Sequence, residues 1–318
     1  MKIVIPGGTG QVGRVLVRAF LDRGHDVVVL SREGSSDARV VPWDGRTLGT
    51  WTEEIDGADV VINLAGRSVN CRYTRKNLKE MMDSRVESTR AVGQAIARAR
   101  RPPRAWLQMS TATLYAHRFD AANDEATGVI GGQEPDAPTD WRRSIDIVQA
   151  WERTLAEAVT PKTRKVALRM AILMSPSSGG VFDLLLRLTR WGLGGSIAGG
   201  RQFISWIHDR DLVRAVTFLI DREEIDGAVN LSAPAPLTQR EFMSGLREAW
   251  GTRIGLPAAR WMVEIGTFFM RSESELVLKS RRVVPGRLRD AGFSFDFPDW
   301  PAAARDLVAR RRSGGISN

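Results

Sequence analysis

A glycine-rich segment near the amino terminus has the spacing of a phosphate-binding loop. It runs from Gly7 to Gly13 and fits two registers, G-x-x-G-x-x-G from Gly7 and G-x-G-x-x-G from Gly8. Glycines let a backbone turn tightly and approach a pyrophosphate, while the N–H groups of the next helical turn point at the anion. Because a strand pattern precedes the segment and a helical pattern capped by Gly24 follows it, we predict a dinucleotide site rather than a purely structural turn.

The two residues after the second predicted strand indicate which dinucleotide this loop would bind. In such sites an acidic side chain at this point hydrogen-bonds the 2′-hydroxyl of the adenosine ribose. This chain has Ser31 and Arg32 instead, and a guanidinium pairs with a 2′-phosphate through two hydrogen bonds. We therefore predict NADP, with NAD as the weaker ligand. The alternative is that Arg32 is a solvated loop residue and that Glu33 or Asp44 serves the ribose.

The elements that would position these residues alternate along the first half of the chain. Short β-branched runs followed by helical patterns predict an α/β fold with a doubly wound parallel sheet, a Rossmann arrangement. The predicted strands are 2–6, 26–30, 38–42, 59–65, 104–110 and 165–173, and the predicted long helices are Leu78–Arg98 and Asp146–Val159.

Beyond Met174 the alternation becomes irregular and richer in glycine and proline, which predicts a smaller, interleaved C-terminal substrate lobe. We expect a dinucleotide-binding domain at 1–173 to which 207–231 returns. The lobe would comprise 174–206 and 232–300, and 301–318 would form a C-terminal helix with a frayed tail.

Composition narrows the class of protein. The 318 residues are 43% hydrophobic and 26% charged, which is typical of a soluble globular protein. A single cysteine, Cys71, excludes an internal disulfide and a cysteine-built metal site, and no histidine and carboxylate spacing suggests a metal. The net charge of +9 is spread over scattered arginines, so we expect no nucleic-acid partner. Without a leader or an apolar run of about 18 residues, we expect a cytoplasmic protein with no membrane partner.

Further motifs carry a resemblance to a known superfamily. Residues Asn63–Gly66 and Ser110–Tyr115, which follow the fourth and fifth strands, resemble the extended short-chain dehydrogenases/reductases. Residues Gly199–Gln202, Ser205–His208 and Gly292–Phe295 resemble an atypical branch, the NAD(P)-dependent epimerase family proteins. These sugar-nucleotide epimerase-like proteins carry a C-terminal segment of unknown function. The resemblance covers nearly the whole chain, and its stretch G-R-Q-x-x-S-W-I-H is more specific than the glycine loop.

The resemblance assigns roles to particular residues. It implies that the pyrophosphate is held by Gly7, Thr9, Gly10, Gln11 and Val12. It further implies that the adenine and ribose edge is lined by Leu64, Ala65 and Gly66. Thr111 takes the position of the catalytic Ser or Thr, where its hydroxyl would polarise the substrate oxygen, and Ser110 lies beside it in the cofactor site.

The expected substrate contacts come from the C-terminal lobe, at the nicotinamide end of the site: Arg201, Gln202 and Trp206. An arginine there suits an anionic substrate such as a sugar nucleotide or a carboxylate. The alternative is that Arg201 forms an ion pair between the lobes.

The Tyr-x-x-x-Lys pair that is the hallmark of this superfamily is absent. Neither of the two tyrosines, Tyr73 and Tyr115, has a lysine four residues later. If Glu152 takes the usual glutamate position, Ser144 replaces the tyrosine and Val148 replaces the lysine. An unassisted tyrosine with a pKa near 10 is phenolate in roughly one molecule in a thousand at pH 7. Hydride transfer therefore needs another proton carrier.

Few side chains are candidates for that carrier. Tyr115 could exchange a proton at the end of the fifth strand, or it could simply pack beside the cofactor. His208 could titrate near neutrality, or it could belong to a strand-to-helix connection at which Asp211 caps the helix. The remaining candidates lie in a polar loop that could close over substrate or be an ordinary surface loop: His117, Asp120 and Glu125.

The sequence is compatible with two functions. The first is an NADP-binding oxidoreductase or epimerase-like enzyme for a small polar or nucleotide-linked alcohol or carbonyl, with catalysis by Thr111 and Tyr115. The second is a catalytically inactive NADP-binding sensor or regulatory protein, which the missing pair favours. The resemblance also implies a homodimer through the helices predicted at Leu78–Arg98 and Asp146–Val159.

Overall fold

The computed structural model describes residues 1–32, 36–135, 138, 141–262 and 273–314. In chain order its elements are β1 (Lys2–Pro6), α1 (Gln11–Leu21), β2 (Asp26–Ser31), β3 (Arg39–Pro42), α2 (Thr52–Ile55), β4 (Val60–Asn63), α3 (Arg75–Arg98), β5 (Ala105–Thr111), α4 (Trp141–Glu157), β6 (Arg164–Met170), β7 (Ile172–Met174), α5 (Val181–Arg190), β8 (Phe203–Ile204), β9 (Trp206–His208), α6 (Asp209–Asp221), β10 (Gly227–Leu231), β11 (Leu237–Thr238), α7 (Gln239–Trp250), α8 (Glu275–Leu278), α9 (Gly286–Asp290) and α10 (Trp300–Gly314).

Seven parallel strands form the central sheet in the order β10-β6-β5-β4-β1-β2-β3. The strand β1 lies between β2 and β4, so the winding direction reverses there. Loops that leave the carboxyl ends of strands diverge at such a reversal and open a crevice for a ligand. The predicted doubly wound α/β fold is confirmed.

The apolar residues of β1 alternate between the two faces of this sheet. Ile3 and Ile5 join a core with residues of α1 and α6, whereas Val4 faces a second core with residues of α3. Successive side chains of a strand point to opposite faces, so an almost continuously apolar strand is buried on both sides.

The predicted strand 165–173 is two strands in the structure. β6 ends at Met170, and β7 pairs with β9 in a separate two-stranded sheet. Between them the Ala171 N–H donates to the Leu231 carbonyl, while the Ile172 N–H donates to the Ser205 carbonyl. The chain changes partners at this residue, which a continuous apolar run does not indicate.

Two predicted helices begin earlier in the structure, and the predicted cap of a third is wrong. α3 starts at Arg75 behind the side-chain cap of Thr74, and α4 starts at Trp141. Their first turns are rich in arginine and polar residues, which hides the helical pattern. His208, not Asp211, caps α6, because the His208 ring accepts the Arg210 N–H.

A separate apolar core lies in the part of the chain formed by α5, β8, β11, α7 and α10, which we call the second lobe. Phe242 stacks on Trp300, with ring centroids 3.8 Å apart. The segment 275–284, which contains α8, returns from this lobe to the loops beyond β5. Within the part of the chain that the structure describes, no helix combines the length and apolarity needed to span a membrane.

Candidate cofactor and active site

The backbone of the glycine loop requires residues without a side chain. Gly7 has a φ of +78°, and a Cβ placed on it would lie 2.7 Å from the backbone nitrogen of Ala65. A Cβ on Gly13 would overlap the Gly8 backbone. The turn after β1 can therefore press against the end of β4, and α1 can begin close to the strand.

The first turn of α1 is arranged to receive an anion. Gly10 is the N-cap, and within the described structure no side chain caps the helix and no acidic residue occupies its first turn. The Nε2 atom of Gln11 is buried without a hydrogen-bond partner among the described residues. Free N–H groups and the positive end of a helix favour a phosphate oxygen, so this turn fits a dinucleotide pyrophosphate.

The end of β2 lies beside the glycine loop. The hydroxyls of Thr9 and Ser31 lie 3.2 Å apart, which ties the glycine loop to β2. Arg32 is exposed and forms no ion pair within the described ranges. The alternative ribose ligand Asp44 is held in its own turn by the N–H groups of residues 46 and 47. The other, Glu33, lies outside the described residues.

The loop after β4 lies against the glycine loop. Asn63 accepts the Ala65 N–H (3.1 Å) and donates to the side chain of Gln108 (3.0 Å), while the Leu64 N–H donates to Pro6. Leu64 and Ala65 are half-buried, and Gly66 is exposed. The buried pair of amides at 63 and 108 holds this loop, and the sequence analysis assigned no role to either side chain.

Two hydroxyls end β5, and they differ in accessibility. Ser110 is buried and donates to Glu152 (2.6 Å), which also pairs with Arg169 (2.8 Å). Thr111 is half-buried, accepts the Thr113 N–H and donates to the Thr113 hydroxyl, both at 3.2 Å. Thr111 therefore remains at the open end of the strand, whereas Ser110 belongs to an internal network.

Tyr115 has a structural environment. It is 2% exposed, and its hydroxyl donates to Asn230 (2.9 Å) and accepts from Arg169 (3.0 Å). Burial raises the pKa of this phenol. The hydroxyl is held by Arg169 of β6 and Asn230 of β10, so we assign it no proton transfer.

The three residues expected at the substrate are not gathered around one opening. Trp206 is 0% exposed and packs edge-on against Trp300, so its place in the core corrects the expected substrate contact. Gln202 is buried and donates to the Ile197 carbonyl (3.2 Å). Arg201 is exposed and, within the described ranges, has no ion-pair partner in the other lobe.

His208 is also structural. Its buried ring stacks on Phe297 with centroids 3.8 Å apart, and its Nε2 atom lies 3.1 Å from Asp306. Burial lowers the pKa of this imidazole. Asp211 accepts the N–H groups of Asp296 and Phe297, so it fastens the C-terminal chain rather than capping α6.

The polar loop after Tyr115 is fastened to the segment 275–284 and its neighbours. The Nδ1 atom of His117 accepts the Ser280 N–H (2.8 Å), and Asp120 pairs with Arg118 (2.6 Å). Glu125 accepts the N–H of Asn230, and burial raises the pKa of its carboxyl. These contacts give each of the three candidates a structural partner.

A buried charged cluster surrounds Ser144, the residue expected at the tyrosine position. Ser144 donates to Glu275 (2.6 Å), and Lys279 donates to the Thr113 carbonyl (2.8 Å). Val148 packs with apolar neighbours beside them. This cluster is not predicted from the sequence, in which an acidic and a basic residue four apart in an irregular segment are the available signal. Among the described residues no group of histidines, cysteines and carboxylates could hold a metal ion.

The fold and this site define a Rossmann-type protein of the short-chain dehydrogenase/reductase class. The chain belongs to the NAD dependent epimerase/dehydratase family, whose sequence model matches residues 3–232. Residues 258–307 match a domain of unknown function, DUF1731. The predicted resemblance to epimerase family proteins with such a C-terminal segment is confirmed.

Known proteins match this chain over nearly its whole length, in sequence and in structure. The epimerase family protein SDR39U1 of Bos taurus is 32% identical over 313 residues, covering 97% of this chain and 100% of the relative. The crystal structure of human SDR39U1 (isoform2) with NADPH has a TM-score of 0.84 and 28% identity, covering 97% of this chain and 99% of that one. The UDP-N-acetylglucosamine 4-epimerase of Bacillus cereus, with 17% identity, a TM-score of 0.72 and coverage of 98% of this chain and 99% of that one, shares the fold.

Proposed function

We propose that this protein binds NADP and acts with it on a small polar or nucleotide-linked alcohol or carbonyl. The observation that carries the proposal is the uncapped first turn of α1 behind a loop whose backbone excludes side chains. Arg32, which is exposed at the end of β2 and has no ion-pair partner among the described residues, supports a 2′-phosphorylated ligand. The NADPH in the crystal structure of human SDR39U1 supports the same choice.

Each end of the site has a distinct task in this proposal. The N–H groups of Gln11 and Val12 hold the pyrophosphate, and the guanidinium of Arg32 pairs with the 2′-phosphate. Leu64 and Ala65 cover the edge of the adenosine. When bound, the nicotinamide supplies or accepts a hydride.

Thr111 orients the substrate oxygen at the end of β5. Its hydroxyl donates to Thr113 in this structure, and a substrate oxygen would replace Thr113 as the acceptor. Because the group is half-buried, a hydrogen bond there is less exposed to competition from water. An exposed Arg201 is kept in the proposal as a contact for an anionic part of the substrate.

Turnover tests the proposed activity. NADPH oxidation is followed with a library of carbonyl compounds, and Thr111→Ala is compared with Thr252→Ala, which lies beyond α7. We expect the first variant to lose roughly 10- to 1000-fold in rate and to keep its NADPH affinity. Equal rates for the two variants would remove Thr111 from the reaction.

A second function, an NADP-binding sensor without catalysis, is favoured by the residues at Ser144 and Val148. Neither side chain can replace a phenol and an ammonium group directly. Coenzyme binding without turnover of any carbonyl in the library would support the sensor and contradict the enzyme.

A homodimer is a further proposal from the resemblance, with α3 and α4 as the interface. Analytical ultracentrifugation of the intact chain tests it, because a monomer near the sequence mass of 35.2 kDa at micromolar concentration would contradict it.

A further inference from the structure

The segment 275–284 carries two buried charges into the site where the superfamily pair is absent. Lys279 and Glu275 are each 2% exposed. Glu275 accepts a hydrogen bond from Ser144, the residue in the tyrosine position, at 2.6 Å. Lys279 donates to the carbonyl of Thr113, two residues beyond Thr111, at 2.8 Å. An ammonium group therefore lies at the turn that follows the expected catalytic threonine.

The hydrogen bonding of this pair is incomplete. The second carboxylate oxygen of Glu275, Oε1, is buried and has no hydrogen-bond partner among the described residues. It lies 3.7 Å from the Lys279 nitrogen, which is longer than a direct hydrogen bond. Burying a charged oxygen without a hydrogen-bond donor costs free energy. The Lys279 ammonium group therefore has two neighbouring acceptors, the Thr113 carbonyl and Oε1 of Glu275.

Charged groups from several elements surround the ammonium. Glu275 and Arg281 face it from its own segment, Glu134 from the loop before α4, and Tyr73 lies beyond Glu275. Burial lowers the pKa of Lys279 to about 8; the charge of Glu275 opposes this shift, and the charge of the buried Arg281 reinforces it. A group with this pKa exchanges protons at neutral pH, as a general acid or base must.

Open space adjoins the Lys279 side chain. A cavity of about 260 Å³ is lined by Lys279 together with Glu134, Trp141, Arg142 and Ile145. This volume is several times the share of one water molecule, about 30 Å³, and would admit the polar end of a small substrate. The lysine is buried against protein on one side and borders a polar cavity on the other.

We propose that Lys279 is the proton-bearing group for the substrate oxygen in place of the absent Tyr-Lys pair, with Glu275 and Ser144 as positioning residues. The proposal rests on the proposed oxidoreductase function. A purely structural ion pair that fastens the segment 275–284 is the competing explanation, since such pairs also shift pKa values.

The proton balance is simple. In reduction the nicotinamide coenzyme supplies the hydride to the carbonyl carbon, an N–H bond of the Lys279 ammonium breaks, and the O–H bond of the alcohol forms. Lysine is left neutral and regains a proton from solvent. In oxidation the neutral amine takes the hydroxyl proton as the hydride leaves.

The first test compares Lys279→Met with Lys165→Met. Lys165 also donates to backbone carbonyls, those of Ala156 and Ala158, but lies at the amino end of β6. We expect Lys279→Met to lose at least ~100-fold in turnover with unchanged NADPH affinity, and Lys165→Met to keep both. Turnover of Lys279→Met within threefold of wild type would overturn the proposal.

The second test does not depend on activity and uses intact protein labelled with carbon-13 at the lysine Cε. The sequence has six lysines, so Lys279→Met identifies the signal. We expect it to titrate near pH 8 and to move with NADP⁺ but not with 2′,5′-ADP, which lacks the nicotinamide. In Glu275→Gln the titration should move to lower pH, because a carboxylate no longer stabilises the ammonium.

The two tests distinguish a failure of the role proposed for Lys279 from a failure of the proposed oxidoreductase function. No turnover by wild-type protein would refute the proposed reaction, and the lysine signal would then decide the inference alone. If the Lys279 signal does not shift on addition of NADP⁺, Lys279 belongs to a structural ion pair. A signal that responds only to the complete coenzyme would keep it at the reacting end of the site.

Discussion

At the scale of single residues, the role proposed for Arg32 is to distinguish two coenzymes that differ by one phosphate. It is exposed and unpaired within the described ranges, so it can turn toward a ligand without breaking an existing contact. A charged hydrogen bond to a phosphate contributes more than a neutral one.

We expect Arg32→Ala to weaken NADPH binding by roughly 10- to 150-fold, corresponding to about 1.5–3 kcal/mol, and to leave NADH binding unchanged. Calorimetric titration with both coenzymes measures this. Arg18→Ala, at an exposed position of α1, is the control. Equal losses for NADPH and NADH in Arg32→Ala would contradict the assignment.

Glu54 makes stability depend on pH at acid values. It pairs with Arg39 through two hydrogen bonds of 2.7 Å and contacts Lys2 at 3.1 Å. The Arg39 guanidinium is the main cause that lowers the pKa of the carboxyl to about 2. A carboxyl with a depressed pKa in the folded state stabilises it above its unfolded pKa, and this contribution is lost as the pH falls.

Glu54→Gln should therefore reduce stability at pH 7 by about 1 kcal/mol, because solvent screens the pair, and should narrow the gap to wild type between pH 4.5 and 2. Urea unfolding at pH 7 and pH 3 tests this. A gap that is the same at both values would show that the carboxylate charge does not contribute.

At the scale of elements, the two turns that flank α1 offer a matched pair of glycines, one before the helix and one after it. Gly7 and Gly24 both have positive φ, +78° and +73°, but a Cβ on Gly7 would meet the Ala65 backbone and one on Gly24 would meet open space. Both substitutions carry the same conformational cost of about 1 kcal/mol, so a difference between them reports the packing against β4.

Gly24→Ala should cost about 1 kcal/mol in free energy of unfolding and keep NADPH affinity. Gly7→Ala should cost about 2–4 kcal/mol once steric strain is added, and should abolish measurable coenzyme binding. Urea unfolding and coenzyme titration of both variants provide the comparison. If Gly7→Ala and Gly24→Ala bind NADPH with similar affinity, the glycine loop does not contact the coenzyme.

At the scale of the whole molecule, a polar network links three strands to α4. Ser110 of β5 and Arg169 of β6 both bind Glu152 of α4, and Arg169 also binds Tyr115, which reaches Asn230 of β10. Arg169 and Glu152 are half-buried, so removing one charge leaves the other only partly compensated by solvent.

Arg169→Met should destabilise the fold by about 1.5–3 kcal/mol, because it removes charged hydrogen bonds from a half-buried pair, whereas Tyr115→Phe should cost about 1–2 kcal/mol and retain turnover. Thermal unfolding and the carbonyl assay distinguish the two. Loss of turnover in a folded Tyr115→Phe variant would show that the Tyr115 hydroxyl takes part in proton transfer.

The parallel sheet, the glycine loop and the absence of a Tyr-x-x-x-Lys motif are all predictable from the amino-acid sequence. These features depend on neighbours within a few residues, because strand periodicity and turn geometry are local properties of the backbone. The break between β6 and β7 escaped the same reasoning, since two sheets can share one continuous apolar run.

The charged cluster around Ser144, the residue expected at the tyrosine position, is visible only in the tertiary structure. Trp206 lies in the most specific motif of the chain and is buried in the core, because burial depends on which elements pack over a strand rather than on the strand itself. Lys279 reaches Thr113 across 166 positions, and Glu275 reaches Ser144 across 131. No local pattern encodes contacts over such separations. They arise from the path by which the segment 275–284 returns to the carboxyl ends of the strands.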